Sequence, residues 1–176
     1  GGATTPATTA PATAPSAPPS TPGHVNIDVT VGQTFIFSPA NVTANVGDLV
    51  TFFFPGGNLP HSVTQSSFAN PCTYLAANGS NPAGFDSGLQ LAKTFTINIT
   101  NTNPIWFHCK QILHCGMGMV GSINAPLNGT NTHAAFVAAA QAIGGSEETD
   151  SGSPILTGAG AVATGPPVDS TQSSSS

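Results

Sequence analysis

Residues 105–120 read IWFHCKQILHCGMGMV. The twelve positions from His108 to Met119 hold two histidines, two cysteines and two methionines, in a chain with only five histidines, three cysteines and two methionines in all. Within that run Cys109, His114 and Met119 follow the spacing Cys-x4-His-x4-Met. Thiolate, imidazole and thioether are soft or borderline donors, the set that suits copper. A loop joining two strands brings its ends close together, so these three side chains can converge on one point without a helix. A trigonal site of two imidazoles and a thiolate needs one more histidine. His61, at the end of LVTFFFPGGNLPH, is expected to supply it from a different strand.

The elements that must position these residues have a period of two. Val25, Ile27, Val29 and Val31 alternate with polar neighbours, as do Phe35 and Phe37, then Val42, Ala44 and Val46. Val50, Phe52 and Phe54 follow, with Leu49 and Phe53 on the other face. Phe95, Ile97 and Ile99, then Ile105 and Phe107, then the stretch from Val120 to Ile123 continue the pattern. Short alternating runs separated by Gly, Pro and Asn predict an antiparallel β-sandwich or barrel. One helix is expected in NTHAAFVAAAQAIGG, capped by Thr130 or Asn131 and stopped by Gly144–Gly145.

The compact domain is expected to span 24–145. Residues 1–23 contain six prolines and eight Ser/Thr and no large apolar residue, which predicts a flexible N-terminal segment. Residues 146–176 are rich in Ser and Gly and are expected to form a second flexible tail. No signal peptide is visible, which suits a processed chain. No apolar run approaches the roughly 20 residues of a membrane-spanning helix.

Charge excludes several classes of function. Only 5% of the 176 residues are charged, with two Lys/Arg against seven Asp/Glu. Such a chain cannot neutralise a phosphate backbone, so nucleic acid is excluded as a partner. A polybasic membrane patch is excluded on the same ground. Four Asn-x-Ser/Thr sequons, at Asn41, Asn78, Asn98 and Asn128, join the Ser/Thr/Pro-rich ends in favouring a secreted glycoprotein.

The stretches PHSVTQSSFANPC (60–72), GFDSG (84–88) and PIWFHCKQILHCGMGMVGSIN (104–124) resemble the cupredoxins, the small blue-copper proteins. In particular they are similar to phytocyanins and to fungal secreted, serine-rich cupredoxin-like proteins. The resemblance covers most of 24–145. It implies a Greek-key β-sandwich with one short C-terminal helix, and one type 1 copper per chain. The implied ligands are His61, Cys109, His114 and Met119, with Met117 the rival of Met119. Phytocyanins carry a disulfide whose second cysteine directly follows the copper histidine. His114-Cys115 has that order, so the resemblance implies a Cys72–Cys115 bridge. A loop of about forty residues closed in this way gains roughly 3–4 kcal/mol in the chain-entropy model. Two features depart from the plant pattern: Ser62 follows the first histidine, and Lys110–Leu113 read KQIL.

Other residues are expected to play supporting parts. Alternation turns His108 away from the metal, toward the surface or a supporting position. Laccases carry a His-Cys-His run, but here Lys110 follows Cys109 and no His-x-His occurs, so a multicopper oxidase site is absent. His24 and His133 are expected to be structural or solvent-facing, Trp106 and Phe107 to be packing residues, and Asp86 to order its loop through an Asx turn. Glu147–Asp150 (EETD) reads as solvated charge. Lys110 is expected near an otherwise apolar rim, and His114 is expected on an exposed loop as the electron exit.

The expected function is electron transfer through a copper site of two histidines, one cysteine and one methionine, without enzymatic activity. The expected partner is an extracellular oxidoreductase, and the protein is expected to be a monomer. Copper storage or delivery outside the cell is the first alternative, and a structural cell-wall scaffold the second. The expected location is extracellular, with surface attachment through an anchor beyond this chain as its variant.

Overall fold

The computed structural model describes residues 16–170. Ten strands and one helix follow in order: β1 (His24–Val31), β2 (Thr34–Ser38), β3 (Asn41–Val42), β4 (Leu49–Phe53), β5 (Thr64–Ser66), β6 (Lys93–Ile99), β7 (Ile105–His108), β8 (Val120–Ile123), α1 (His133–Ile143), β9 (Ala161–Ala163) and β10 (Val168–Asp169). The larger sheet runs β10-β6-β4-β1-β2, with β9 also paired to β6, and the smaller runs β3-β8-β7-β5.

The alternating residues face each other between these sheets. Ile27, Val29, Phe37, Val50, Phe52, Phe95, Ile97, Ile99, Ile105 and Phe107 are all buried. Phe37, Phe52 and Phe107 meet edge to face, at centroid separations of 4.9–6.3 Å. Burying each such side chain stabilises the fold by about 1.5–3 kcal/mol. Val31, the last residue of β1, and Val46, in the turn before β4, belong to the same sequence pattern but are exposed.

All four residues of β7 are buried because both its faces are covered. Ile105 and Phe107 point into the sandwich, while Trp106 joins a second cluster with Phe136, Ala140, Cys72 and Cys115. Trp106 lies 4.7 Å from the Phe136 ring of α1 and 5.0 Å from Phe68. The helix therefore covers the outer face of the smaller sheet. Its N-cap is Thr132, not Thr130 or Asn131: the Thr132 hydroxyl accepts from the Ala135 amide at 3.2 Å. Gly144 stops it, as the sequence predicts.

Two expectations need correction. The pairing is not purely antiparallel, since β1 runs parallel to β4 and β3 parallel to β8. The ends of the described chain are not loose tails either. Within the expected 1–23 segment, residues 1–15 lie outside the described residues, but Ser20 and Ala17 bond along β1, to the Asn26 amide and the Asp28 carboxylate. Within 146–176, residues 171–176 lie outside the described residues. The remainder returns over the sandwich, where β9 and β10 pair with β6 and Ala161 is fully buried. Backbone pairing holds this polar segment, and composition does not report backbone pairing.

Candidate metal centre

His61 lies after β4 and just before β5, where reciprocal backbone bonds to Gln90 at 3.0 and 2.8 Å fix it. Cys109 follows the last residue of β7, on the core-facing side with Ile105 and Phe107. The loop from Cys109 to Met119 closes on itself. The Cys109 amide donates to the Met119 carbonyl at 3.1 Å, and the Met119 and Met117 amides donate to the His114 carbonyl at 3.0 and 3.1 Å. A disulfide joins Cys72 to Cys115, anchoring the residue after His114 to the segment that follows β5.

These elements bring three donors together. The Nδ1 atoms of His61 and His114 are 3.2 Å apart, and Cys109 Sγ lies 3.9 and 3.5 Å from them. The point equidistant from three atoms so spaced lies about 2.1 Å from each, against roughly 2.0–2.1 Å for zinc–nitrogen and 2.3 Å for zinc–sulfur bonds. The cluster therefore has the dimensions of a metal site. Its donor set, two imidazoles and one thiolate, is the one that copper uses in trigonal electron-transfer centres.

Burial prepares the donors. Desolvation, with the charge of His114 adding to it, lowers the His61 pKa to about 4, and burial lowers that of His114. Both imidazoles are thus neutral near pH 7, as metal ligation requires. Burial pushes the Cys109 thiol up to about 12, against hydrogen bonds from the Ser62 and Gln111 backbone that favour the thiolate. A bound cation would displace that proton.

Met119 is fully buried in the same cluster as Cys109, while Met117 is exposed. His108 does turn away from Cys109, but it is 2% exposed rather than on the surface. Among the described residues its Nδ1 has no hydrogen-bond partner, and burial lowers its pKa to about 3. His114 is also covered, at 4% exposure, and Phe35 of β2 stacks on its ring at 4.2 Å. The loop that carries it is exposed as expected, at Ile112, Leu113 and Met117, but the His114 ring itself is covered. His24 bonds Thr51 at 2.9 Å and His133 bonds Ser122 at 2.8 Å, so both serve the scaffold.

The charged residues differ most from the sequence reading. Lys110 is buried and pairs with Asp86 at 2.6 Å. Asp86 does form the expected turn, accepting the Gly88 amide at 2.8 Å, but it also receives the Thr64 hydroxyl at 3.0 Å. Burial raises the Asp86 pKa, and the bond from Lys110 opposes that rise. Glu147 and Asp150 are not simply solvated. The Glu147 carboxylate accepts the Leu113 and Gly116 amides at 2.6 and 2.9 Å, one on each side of His114. Asp150 lies 3.4 Å from Lys110 Nζ. Leu113 adopts φ 73°, a left-handed conformation uncommon for a bulky residue. Gly116 packs so closely that an added Cβ would lie 1.9 Å from the Gly144 carbonyl oxygen.

Of the sequons, Asn41, Asn78 and Asn128 are exposed. Asn98 is half-buried on β6, alternating with the core residues Ile97 and Ile99.

A two-sheet β-sandwich holding a buried cluster of two histidines and one cysteine fits a copper protein. No family model matches the chain. It is 33% identical over 118 residues to the probable GPI-anchored cupredoxin-1 of Arthroderma benhamiae, covering 66% of this chain and 60% of that one. It is 36% identical over 108 residues to an extracellular serine-rich protein of the same organism, covering 60% of this chain and 41% of that one. The chain thus spans less than two thirds of the length of either relative. Oxidised plastocyanin from Dryopteris crassirhizoma superposes with a TM-score of 0.42 at 19% identity, over 56% of this chain and 97% of that one. The sequence similarity to these relatives supports a cupredoxin-like protein, and the His-Cys-His cluster fits copper.

Proposed function

We propose that this protein is a secreted type 1 copper protein that carries electrons. His61, Cys109 and His114 would hold one copper, with the Met119 thioether as a fourth donor. The observation that carries this reading is the convergence of two Nδ1 atoms and one thiol, all within 4.8 Å of one another and all buried. Burial of Met119 beside Cys109, against exposure of Met117, supports Met119 as the fourth ligand.

Copper supplies a one-electron couple when bound. The chain supplies a nearly fixed frame. Backbone bonds hold His61 to Gln90 and Cys109 to Met119, so little needs to move between oxidation states. Cys109 Sγ must lose its proton on loading. The apolar cover formed by Phe35 over His114 excludes water from the donors.

Ile112, Leu113 and Met117 lie on the ligand loop and are about half exposed or more. That low-charge rim suits brief contact with a redox partner, an extracellular oxidoreductase. The disulfide and the exposed sequons support an extracellular location, and similarity to a GPI-anchored and an extracellular protein supports a secreted or surface-anchored one. No described helix is long and apolar enough to cross a membrane. The proposed state is a monomer without enzymatic activity.

The test is to load the protein with Cu(II), cycle it with a mild reductant and oxidant, and challenge each state with a chelator. Reversible cycling with copper retained in both states is the expected result. Rapid transfer of copper to the chelator would replace electron transfer with storage or delivery. Failure to take up copper would leave a structural scaffold.

A further inference from the structure

The two segments that carry the ligands are joined by a closed hydrogen-bonded circuit containing neither histidine. Ser62, next to His61, directs its backbone N–H at Cys109 Sγ, 3.4 Å away. The Ser62 hydroxyl oxygen accepts the amide of Lys110, next to Cys109, at 2.8 Å. It also lies 2.8 Å from Thr64 Oγ1. Thr64 Oγ1 donates to Asp86 Oδ1 at 3.0 Å, and Lys110 Nζ donates to Asp86 Oδ2 at 2.6 Å. Ser62, Thr64, Asp86 and Lys110 are each 4% exposed or less.

The direction of every bond follows from the charges. The Gly88 amide, the Thr64 hydroxyl and the Lys110 ammonium all converge on the Asp86 carboxylate, which ionised can only accept. Thr64 must therefore donate to it, which leaves the Thr64 oxygen to accept from the Ser62 hydroxyl. The Ser62 oxygen is then free for the Lys110 amide. Bonds in such a chain polarise one another in a low-dielectric interior. The ion pair closes the circuit, because Lys110 supplies both its first donor and the cation at its end. Further along the chain, the Gly152 carbonyl accepts Lys110 Nζ at 2.9 Å, so the segment after the helix also locks the lysine in place.

We propose that Asp86, Lys110 and Thr64 are positioning residues for Cys109: acting through Ser62, they hold its N–H on the sulfur and so set the donor strength of the thiolate. The electronic half of this inference rests on the copper reading above, and the structural half does not. An N–H donor draws charge from a thiolate and weakens its donation, which favours Cu(I). Loosening the circuit therefore shifts the couple toward Cu(II).

Thr64→Val breaks the circuit at its centre while leaving both buried charges paired, and Thr64→Ser restores the hydroxyl. Two readouts are taken on each variant and on the natural protein. The first is amide hydrogen exchange by NMR in the copper-free protein. The expected result for Thr64→Val is exchange at least about tenfold faster at Ser62 and Lys110, with the amides of β1 and β4 unchanged. The second is the reduction potential of the copper-loaded protein, expected to fall by about 59 mV for a tenfold shift toward Cu(II) in a one-electron couple. Thr64→Ser is expected to recover both. Natural exchange and potential in Thr64→Val would overturn the proposal. So would an acceleration shared equally by β1 and β4, which would mark a merely structural role. If the natural protein takes up no copper, the copper reading fails and the exchange measurement alone decides the positioning role. If Thr64→Val does not fold, the double variant Asp86→Asn/Lys110→Met removes both charges together and is read by the same two criteria.

Discussion

Phe35 lies almost flat on the ring of His114, with centroids 4.2 Å apart and planes 19° from parallel. The same phenylalanine leans on His61 at 5.7 Å, so one side chain from β2 covers both histidines of the site. In the copper reading this ring is what separates the donors from solvent.

Phe35→Ala is accordingly expected to speed copper loss to a chelator by at least about tenfold. Because Phe35 is only half-buried, stability should fall by about 1–3 kcal/mol, less than the roughly 3–5 kcal/mol of a fully buried Phe→Ala change. Stopped-flow chelation and urea unfolding measure the two effects. Unchanged copper release would show that Phe35 is not the cover.

The Cys72–Cys115 bridge closes a loop across 43 positions. Replacing both cysteines by serine should lower the unfolding free energy by about 4 kcal/mol in the chain-entropy model. The same change frees the residue beside His114, so copper affinity should fall as well. Denaturant unfolding and copper titration test this together. A loss of stability without a loss of affinity would separate the bridge from the site.

The sequence shows the donors because their types are rare and their spacing is short. The same reading sees the sandwich through alternating residues such as Val50, Phe52, Phe95 and Ile97. It does not see Phe35, because a phenylalanine in an alternating strand reads as core whether it packs on leucine or on imidazole. It reads Lys110 as a surface cation, since its acceptor Asp86 lies 24 positions away in sequence. It reads the polar stretch after Gly144 as loose, because that stretch is held by strand pairing to β6 and by single carboxylates on backbone amides. Such contacts leave no periodic trace. Ser62 stands out only as a departure from the plant pattern, and its hydroxyl gains meaning only once Thr64 and Lys110 are beside it.

Glu147 braces the ligand loop on both sides of His114. Glu147→Ala leaves the Leu113 and Gly116 amides without their charged acceptor, at a cost of about 1–3 kcal/mol. The left-handed backbone at Leu113 should then relax, and the expected result is weaker copper binding at unchanged secondary structure. Calorimetric copper titration and circular dichroism check it. Natural affinity in a folded Glu147→Ala protein would contradict the bracing role.

The copper-free protein should lose stability on mild acidification. His61 is depressed to about 4 and His108 to about 3, both chiefly by burial, against roughly 6.5 in an unfolded chain. Between those values the unfolded chain binds protons that the folded chain does not. Each histidine's contribution is therefore complete above pH 6.5 and is lost as pH falls toward its folded value, at up to about 1.4 kcal/mol per pH unit. The upward shift of Asp86 opposes this trend, and the downward shifts of His114 and His133 reinforce it. Urea unfolding at pH 7 and pH 5 measures the slope. Equal stability at the two values would mean that these rings are not held neutral by burial.

The most direct test of the copper site is the visible spectrum of the purified protein after one equivalent of Cu(II), recorded in parallel on Cys109→Ala. The expected result is an intense thiolate-to-copper band, blue or green, at one copper per chain and absent from the variant. A colourless protein, or a band that survives Cys109→Ala, would contradict it.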